Sequence, residues 1–169
     1  MNLLSCYIIA GIIFVSIIGT LSHFFYEWSG RNKLIGLFTP VSESTWEHIK
    51  LLFFPMLLYS FFMIWKLRTL YPCIASAAFT GILLGSALIP LIFYTYSGFL
   101  GQHILSLDIA TFLVSVAAAF YKTYKLTLSC SSSGVSLILK AAIFFLTAAF
   151  LLFTYLPPSL GLFRDPTKG

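Results

Sequence analysis

Seven ionisable residues of the kinds that bind metals or transfer protons lie at the ends of long apolar segments. They comprise all three histidines and four of the five acidic residues of the chain, namely His23, Glu27, Glu43, Glu47, His48, His103 and Asp108. Ionisable groups at or inside a bilayer are costly and are usually functional. Imidazoles combined with carboxylates are the ligand set of zinc, iron and manganese sites. A carboxylate beside such an ion can also act as a general base.

The spacing of these residues places several of them on shared helix faces. His23 and Glu27 are four residues apart, as are Glu43 and Glu47, so each pair would be separated by about 6 Å along a helix axis. His48 follows Glu47 and is rotated from it by about 100°. The sequence contains neither the H-E-x-x-H of zincin proteases nor the Glu-x-x-His of di-iron bundles. A site would therefore depend on several segments coming together.

The composition indicates the elements that must position these side chains. The chain has 169 residues, of which 59% are hydrophobic and 9% are charged, whereas a soluble domain carries about 25% charged residues. The apolar residues form five runs that are each long enough to span a bilayer. We therefore predict an all-α, polytopic transmembrane helix bundle forming a single integral membrane domain over residues 1–169. The predicted spans are approximately residues 3–26, 47–65, 73–96, 104–121 and 137–155.

Counting spans brings the ionisable residues to one side of the membrane. The end of the first span and the starts of the second and fourth must lie on the same side, and His103 and Asp108 mark the start of the fourth. This holds for either orientation, although a slight bias of Lys and Arg favours a cytoplasmic N-terminus. As alternatives, His103 would be a solvated loop residue and Asp108 a helix cap.

The other ionisable candidates also have structural interpretations. Ser44 and Glu47 fit the S-x-x-E capping box, and Glu43 would be favoured by the helix dipole in a first turn. His23 could form a structural pair with Glu27. We expect Lys50 either to snorkel to the interface or to pair with Glu47.

Three further features bear on the topology and on the class of protein. The three cysteines, Cys6, Cys73 and Cys130, show no paired spacing, so neither a zinc finger nor a disulfide framework is predicted. The loop over residues 29–42 contains several large apolar residues, so we expect it to cover part of the outer face, or else to lie flat as an amphipathic connector. The net charge of +5 comes from dispersed Lys and Arg, which indicates membrane anchoring rather than nucleic-acid binding.

The segment from His23 to Gly30, followed by the segment from Pro40 to His48, resembles a known family. It is a family of small, uncharacterised bacterial integral membrane proteins with an E-S-x-W-E-H motif, which is present here from Glu43 to His48. The resemblance implies a multi-pass protein of the bacterial inner membrane and no particular activity. In chemistry alone, three His and an Asp near one face are analogous to the zinc sites of alkaline ceramidases and adiponectin-receptor-like proteins.

Three functions remain open on the sequence. The leading one is a metal-dependent intramembrane hydrolase or lipid-modifying enzyme that uses a divalent metal, zinc first and iron or manganese as alternatives. Its predicted metal ligands are His23, His48, His103 and Asp108, and its predicted catalytic residues are Glu43, Glu47 and Glu27. The expected partners are membrane lipids, a lipid or lipid-linked substrate and a second copy in a homodimer. The alternatives are a small proton- or cation-coupled transporter and a non-catalytic partner protein with a structural polar network.

Overall fold

The computed structural model of the chain describes residues 2–130 and 136–165 and is helical in these ranges, without strands. The helices are α1 (Leu3–Trp28), α2 (Lys33–Gly36), α3 (Thr45–Leu67), α4 (Ile74–Leu100), α5 (Leu105–Ser129) and α6 (Ser136–Phe153), followed by a 3-10 turn at Gly161–Phe163. In the described ranges, α1, α3, α4 and α5 are long and apolar enough to cross a membrane, and residues 137–153 form a shorter apolar helix. The predicted all-α class and helical membrane bundle are confirmed.

Several helix boundaries depart from the predicted spans, including the end of α4, which lies at Leu100 rather than near residue 96. Helix α3 begins at Thr45 rather than near residue 47, because Ser44 is its N-cap and accepts a hydrogen bond from the Glu47 amide. Helix α5 continues to Ser129, eight residues beyond the predicted end at residue 121. The segment with Lys122 and Lys125, which lies beyond the end of the predicted span, is therefore helical, and Lys125 lies over the ring of Tyr121.

Four helices form a closed ring in which α1 packs against α3 and α5, while α4 packs against α3 and α5. Small residues permit the closest of these contacts. A Cβ on Gly81 of α4 would meet the Thr123 side chain and the Ala119 carbonyl of α5, and one on Gly85 would lie 2.9 Å from Ala119. Helix α6 lies outside the ring against α4, and its Phe150 ring is 4.9 Å from that of Phe53.

A disulfide corrects the expectation that none would form. Cys73, immediately before α4, is bonded to Cys130, immediately after α5. The two cysteines are 57 residues apart in the sequence, so no short-range spacing predicts that they pair. The antiparallel packing of α4 and α5 brings them together at the end of the bundle away from the histidines, while Cys6 is free and exposed.

The segment between α1 and α3 folds back over the end of the bundle. Phe38 packs edge-on against Phe54 of α3, with ring centres 5.1 Å apart. The carbonyl of Lys33 accepts a hydrogen bond of 2.8 Å from the hydroxyl of Tyr155, just beyond α6. Leu34, in contrast, is 70% exposed. The loop therefore combines anchored positions with apolar side chains that face outward.

Candidate metal centre and cavity

At one end of the four-helix ring, α1, α3, α4 and α5 enclose a cavity of about 560 Å³. This volume is within the usual range of small-molecule sites. Most of its wall is apolar and includes Phe24, Leu51, Phe93, Ile109 and Phe112. Five of the seven ionisable candidates also line it, namely His23, Glu43, His48, His103 and Asp108. The cavity thus places a small set of polar groups on an otherwise apolar surface.

Three of these residues form a compact donor cluster. Oε2 of Glu43 lies 3.7 Å from Nε2 of His23 and 3.5 Å from Nε2 of His48. One ligand atom from each residue lies within 4.8 Å of the others. Tetrahedral zinc with bonds of about 2.1 Å separates its ligands by roughly 3.4 Å. The three side chains are therefore close to the spacing that a bound ion requires.

Local structure explains how the cluster forms and which atoms it presents. His23 is in the last third of α1, Glu43 lies in the loop before α3, and His48 is in the first turns of α3. Nδ1 of His48 is 2.9 Å from the Ser44 carbonyl. Since a carbonyl only accepts, Nδ1 is the donor in this contact, and Nε2, which faces Glu43, is the nitrogen available to an ion. This is the usual arrangement of a histidine ligand.

The close approach of α1 to α3 brings two members of the donor cluster together. Gly19 is one helical turn before His23, and a Cβ at this position would lie 2.5 Å from the Leu51 carbonyl of α3. A side chain here would push the two helices apart. The absence of a side chain at residue 19 thus allows His23 and His48 to meet, with ring centres 5.3 Å apart.

His103 and Asp108 form a second polar group on the cavity wall. Oδ1 of Asp108 accepts a hydrogen bond from the Tyr96 hydroxyl of α4, and Oδ2 lies 3.8 Å from Nδ1 of His103. Asp108 is in the first turn of α5, but its side chain is directed to Tyr96. Tyr96 is not among the site residues predicted from the sequence, because a tyrosine at the end of a span is typical of the membrane interface. The available signal was its place across the α4–α5 connection from Asp108.

Glu47 does not line this cavity. Its Oε2 lies 2.7 Å from Nζ of Lys50 and accepts a hydrogen bond of 3.0 Å from the Val41 amide. Lys50 is completely buried and Glu47 is 3% exposed. The structure therefore realises the predicted Lys50–Glu47 pair. Of the predicted capping box only the Ser44 half forms, because the Glu47 carboxylate is engaged elsewhere.

Glu27 also lies apart from the donor cluster. Its carboxylate pairs with Arg31, four residues later, at 3.1 Å, and both side chains are exposed. The His23–Glu27 pair, one of the alternatives open on the sequence, is thereby replaced by the His23–Glu43 contact. Glu27 lines a smaller neighbouring groove, which it shares with His23 and Glu43.

Comparison with known proteins assigns a family but no activity. The model of a family of unknown function (DUF6512) matches residues 1–169. No curated protein and no solved structure matches the chain. The arrangement of the side chains is therefore the basis for an assignment of function.

Proposed function

We propose that this chain, which belongs to that family of unknown function, is a metal-dependent hydrolase acting on a lipid or lipid-linked substrate within the membrane. The observation that carries the proposal is the convergence of His23, Glu43 and His48 on the wall of a mainly apolar cavity. Zinc is the first candidate ion, with iron and manganese as alternatives.

The donor set suits a catalytic ion. Two imidazole nitrogens and one carboxylate oxygen leave a fourth position for water or substrate, as in hydrolytic zinc sites. An ion bound in this position would act as a Lewis acid and would lower the pKa of a water molecule bound to it. Glu43, first considered as a base, is then a ligand, and His103 and Asp108, first considered as ligands, become available for other roles.

We assign the proton transfer to Asp108, because its carboxylate lines the same cavity as the donor cluster. The Tyr96 hydroxyl orients its carboxylate, and His103 lies beside its second oxygen. In the proposed reaction the oxygen of water bonds to the carbonyl carbon of the substrate while its proton passes to Asp108. The scissile ester or amide bond then breaks, and Asp108 returns the proton to the leaving oxygen or nitrogen.

The surroundings of the site favour a lipid substrate. The wall presents aromatic and aliphatic side chains beside the polar groups, and the cavity lies at one end of a bundle whose helices are long enough to cross a membrane. An acyl chain would bury its surface against the apolar wall with its reactive group at the cluster. We propose the bacterial inner membrane as the location and membrane lipids as the pool from which the substrate is drawn.

The first test is metal content. Detergent-purified wild type should contain near-stoichiometric zinc, iron or manganese, and His48→Ala should lose it. Glu27→Gln is the matched control, because it removes a charge at the same end of the bundle without touching the cluster. A wild type that binds no metal after zinc is added would refute the proposal and favour a structural polar network.

Asp108→Asn tests the proton-transfer role separately. We expect it to keep the wild-type metal content and to lower hydrolysis of short-chain ester and amide lipids by about 100-fold. Tyr96→Phe should produce a smaller loss, because the carboxylate remains but is less well oriented. Loss of metal in Asp108→Asn would instead identify Asp108 as a ligand.

A further inference from the structure

The buried contacts behind the cavity point to a positioning device. We propose that Lys50, Glu47 and Tyr155 form a latch that fixes the loop of residues 29–44, so that Glu43 faces His23 and His48. This loop latch connects the ends of α3 and α6 to the one cluster member that does not lie on a helix. The inference rests on the proposed metal site for its functional meaning.

Lys50 is the centre of the loop latch. Its Nζ donates to Oε2 of Glu47 at 2.7 Å, to the Gly36 carbonyl at 3.2 Å and to Oγ1 of Thr154 at 2.5 Å. An ammonium group has three protons, and each has an acceptor here. Thr154 can accept in this way because its own hydroxyl proton is donated to the Phe150 carbonyl. One buried side chain thus connects the loop, α3 and α6.

Glu47 continues the connection toward the donor cluster. The oxygen that accepts from Lys50 also accepts from the amide of Val41, two residues before Glu43. A buried ion pair is weak evidence for stability, because desolvation offsets much of the attraction. The pair does fix the positions of both side chains, because moving either one leaves the other as an uncompensated buried charge. The Val41 amide is therefore held against the Glu47 side chain of α3. Because Glu43 is only two residues later, this contact limits where Glu43 can lie.

Tyr155 anchors the other side of the loop. Its hydroxyl donates a hydrogen bond of 2.8 Å to the Lys33 carbonyl. Gly36 fits between these anchors, because a Cβ there would lie 2.6 Å from both the Tyr155 hydroxyl and Cγ1 of Val41. The loop is therefore held on both sides of this glycine.

Two variants test the loop latch. The double variant Lys50→Met, Glu47→Gln removes both charges together and so leaves no unpaired buried charge. Tyr155→Phe removes one hydroxyl from a residue that is 41% exposed, so the fold should persist. Tyr94→Phe is the matched control, because that hydroxyl contacts only the Gly161 carbonyl among its hydrogen-bond partners in the described chain.

Two readouts on the full chain in detergent are needed. Amide hydrogen exchange in the loop should rise by about fivefold in Tyr155→Phe, as expected for one lost hydrogen bond, and by more in the double variant. Exchange in α4 and α5 should not change. Zinc affinity, measured with zinc alone, should fall by about 10- to 100-fold in the double variant, as for residues that support a metal ligand. Tyr94→Phe should match wild type in both.

Each outcome decides the inference. Unchanged loop exchange in both variants overturns the loop latch, and increased exchange with unchanged zinc affinity overturns its role in placing Glu43. Increased exchange throughout α4 and α5 would show general destabilisation and also overturn it. If wild type binds no zinc, the proposed function fails, and the claim that the loop is latched is still decided by the exchange data.

Discussion

Glu43→Gln should weaken zinc binding and leave the stability of the metal-free protein almost unchanged. The substitution keeps the size and shape of the side chain and removes its charge at the point where His23 and His48 converge. Glu43 is 47% exposed, and its contacts with the two imidazoles are 3.7 and 3.5 Å long. Exposed ion pairs contribute at most about 1 kcal/mol. The metal-free variant should therefore unfold within about 1 kcal/mol of wild type.

The effect of zinc should be much larger. At a zinc concentration of about 100 times Kd, binding stabilises wild type by about 2.7 kcal/mol. Mutating a residue that supports a metal ligand weakens metal affinity by up to about 100-fold. Loss of a charged ligand itself should weaken zinc affinity by at least this much. The same zinc concentration then stabilises the variant by only about 0.4 kcal/mol. For a chain of this size these values correspond to a rise in Tm of about 5–10 °C for wild type and about 1 °C for the variant.

Thermal unfolding in detergent, with and without zinc, measures both quantities in one experiment. Glu27→Gln is the control, since it removes another exposed carboxylate near the cavity and should retain the full zinc shift. A full zinc shift in Glu43→Gln would refute its role as a ligand. An equal loss in Glu27→Gln would show that zinc responds to the general charge of this end of the bundle.

Two further predictions concern the scaffold. Gly19→Ala should lower the free energy of unfolding by about 1–3 kcal/mol and weaken zinc binding, because its Cβ would meet a backbone carbonyl of α3. Gly98→Ala is the control, because its Cβ would meet nothing within 4 Å; in denaturation experiments it should stabilise α4 by up to about 1 kcal/mol. A Cys73→Ser, Cys130→Ser variant should be less stable to denaturant by about 4 kcal/mol, and its zinc affinity should equal that of wild type because the disulfide is at the other end of the bundle.

Long apolar runs carry most of the information about this fold, since their length alone predicts helices and their order determines which helix ends share a side. The end of α5 was placed too early because Lys122 and Lys125 resemble loop residues, although long side chains are readily solvated from a helix end. Span counting likewise brings the histidines to one end of the bundle. It cannot give the rotation of each helix or the path of a loop.

The two glutamates of the E-S-x-W-E-H segment show this limit. Their spacing suggested one shared helix face, but Glu43 precedes the first turn of α3 and is free to face the histidines, whereas Glu47 belongs to that turn and faces Lys50. Tyr96 and Asp108 meet because α4 and α5 pack antiparallel. Neither contact has a periodic signature in the sequence.

The Cys73–Cys130 bond has a consequence for the two sides of the membrane. Disulfides persist in oxidising compartments and are reduced in the cytosol. A bond that forms in the cell would place its end of the bundle, together with the N-terminus, outside the cytosol, opposite to the orientation favoured by the slight charge bias. The mouth of the cavity would then open at the cytosolic leaflet, and the proposed lipid substrate would enter from that leaflet.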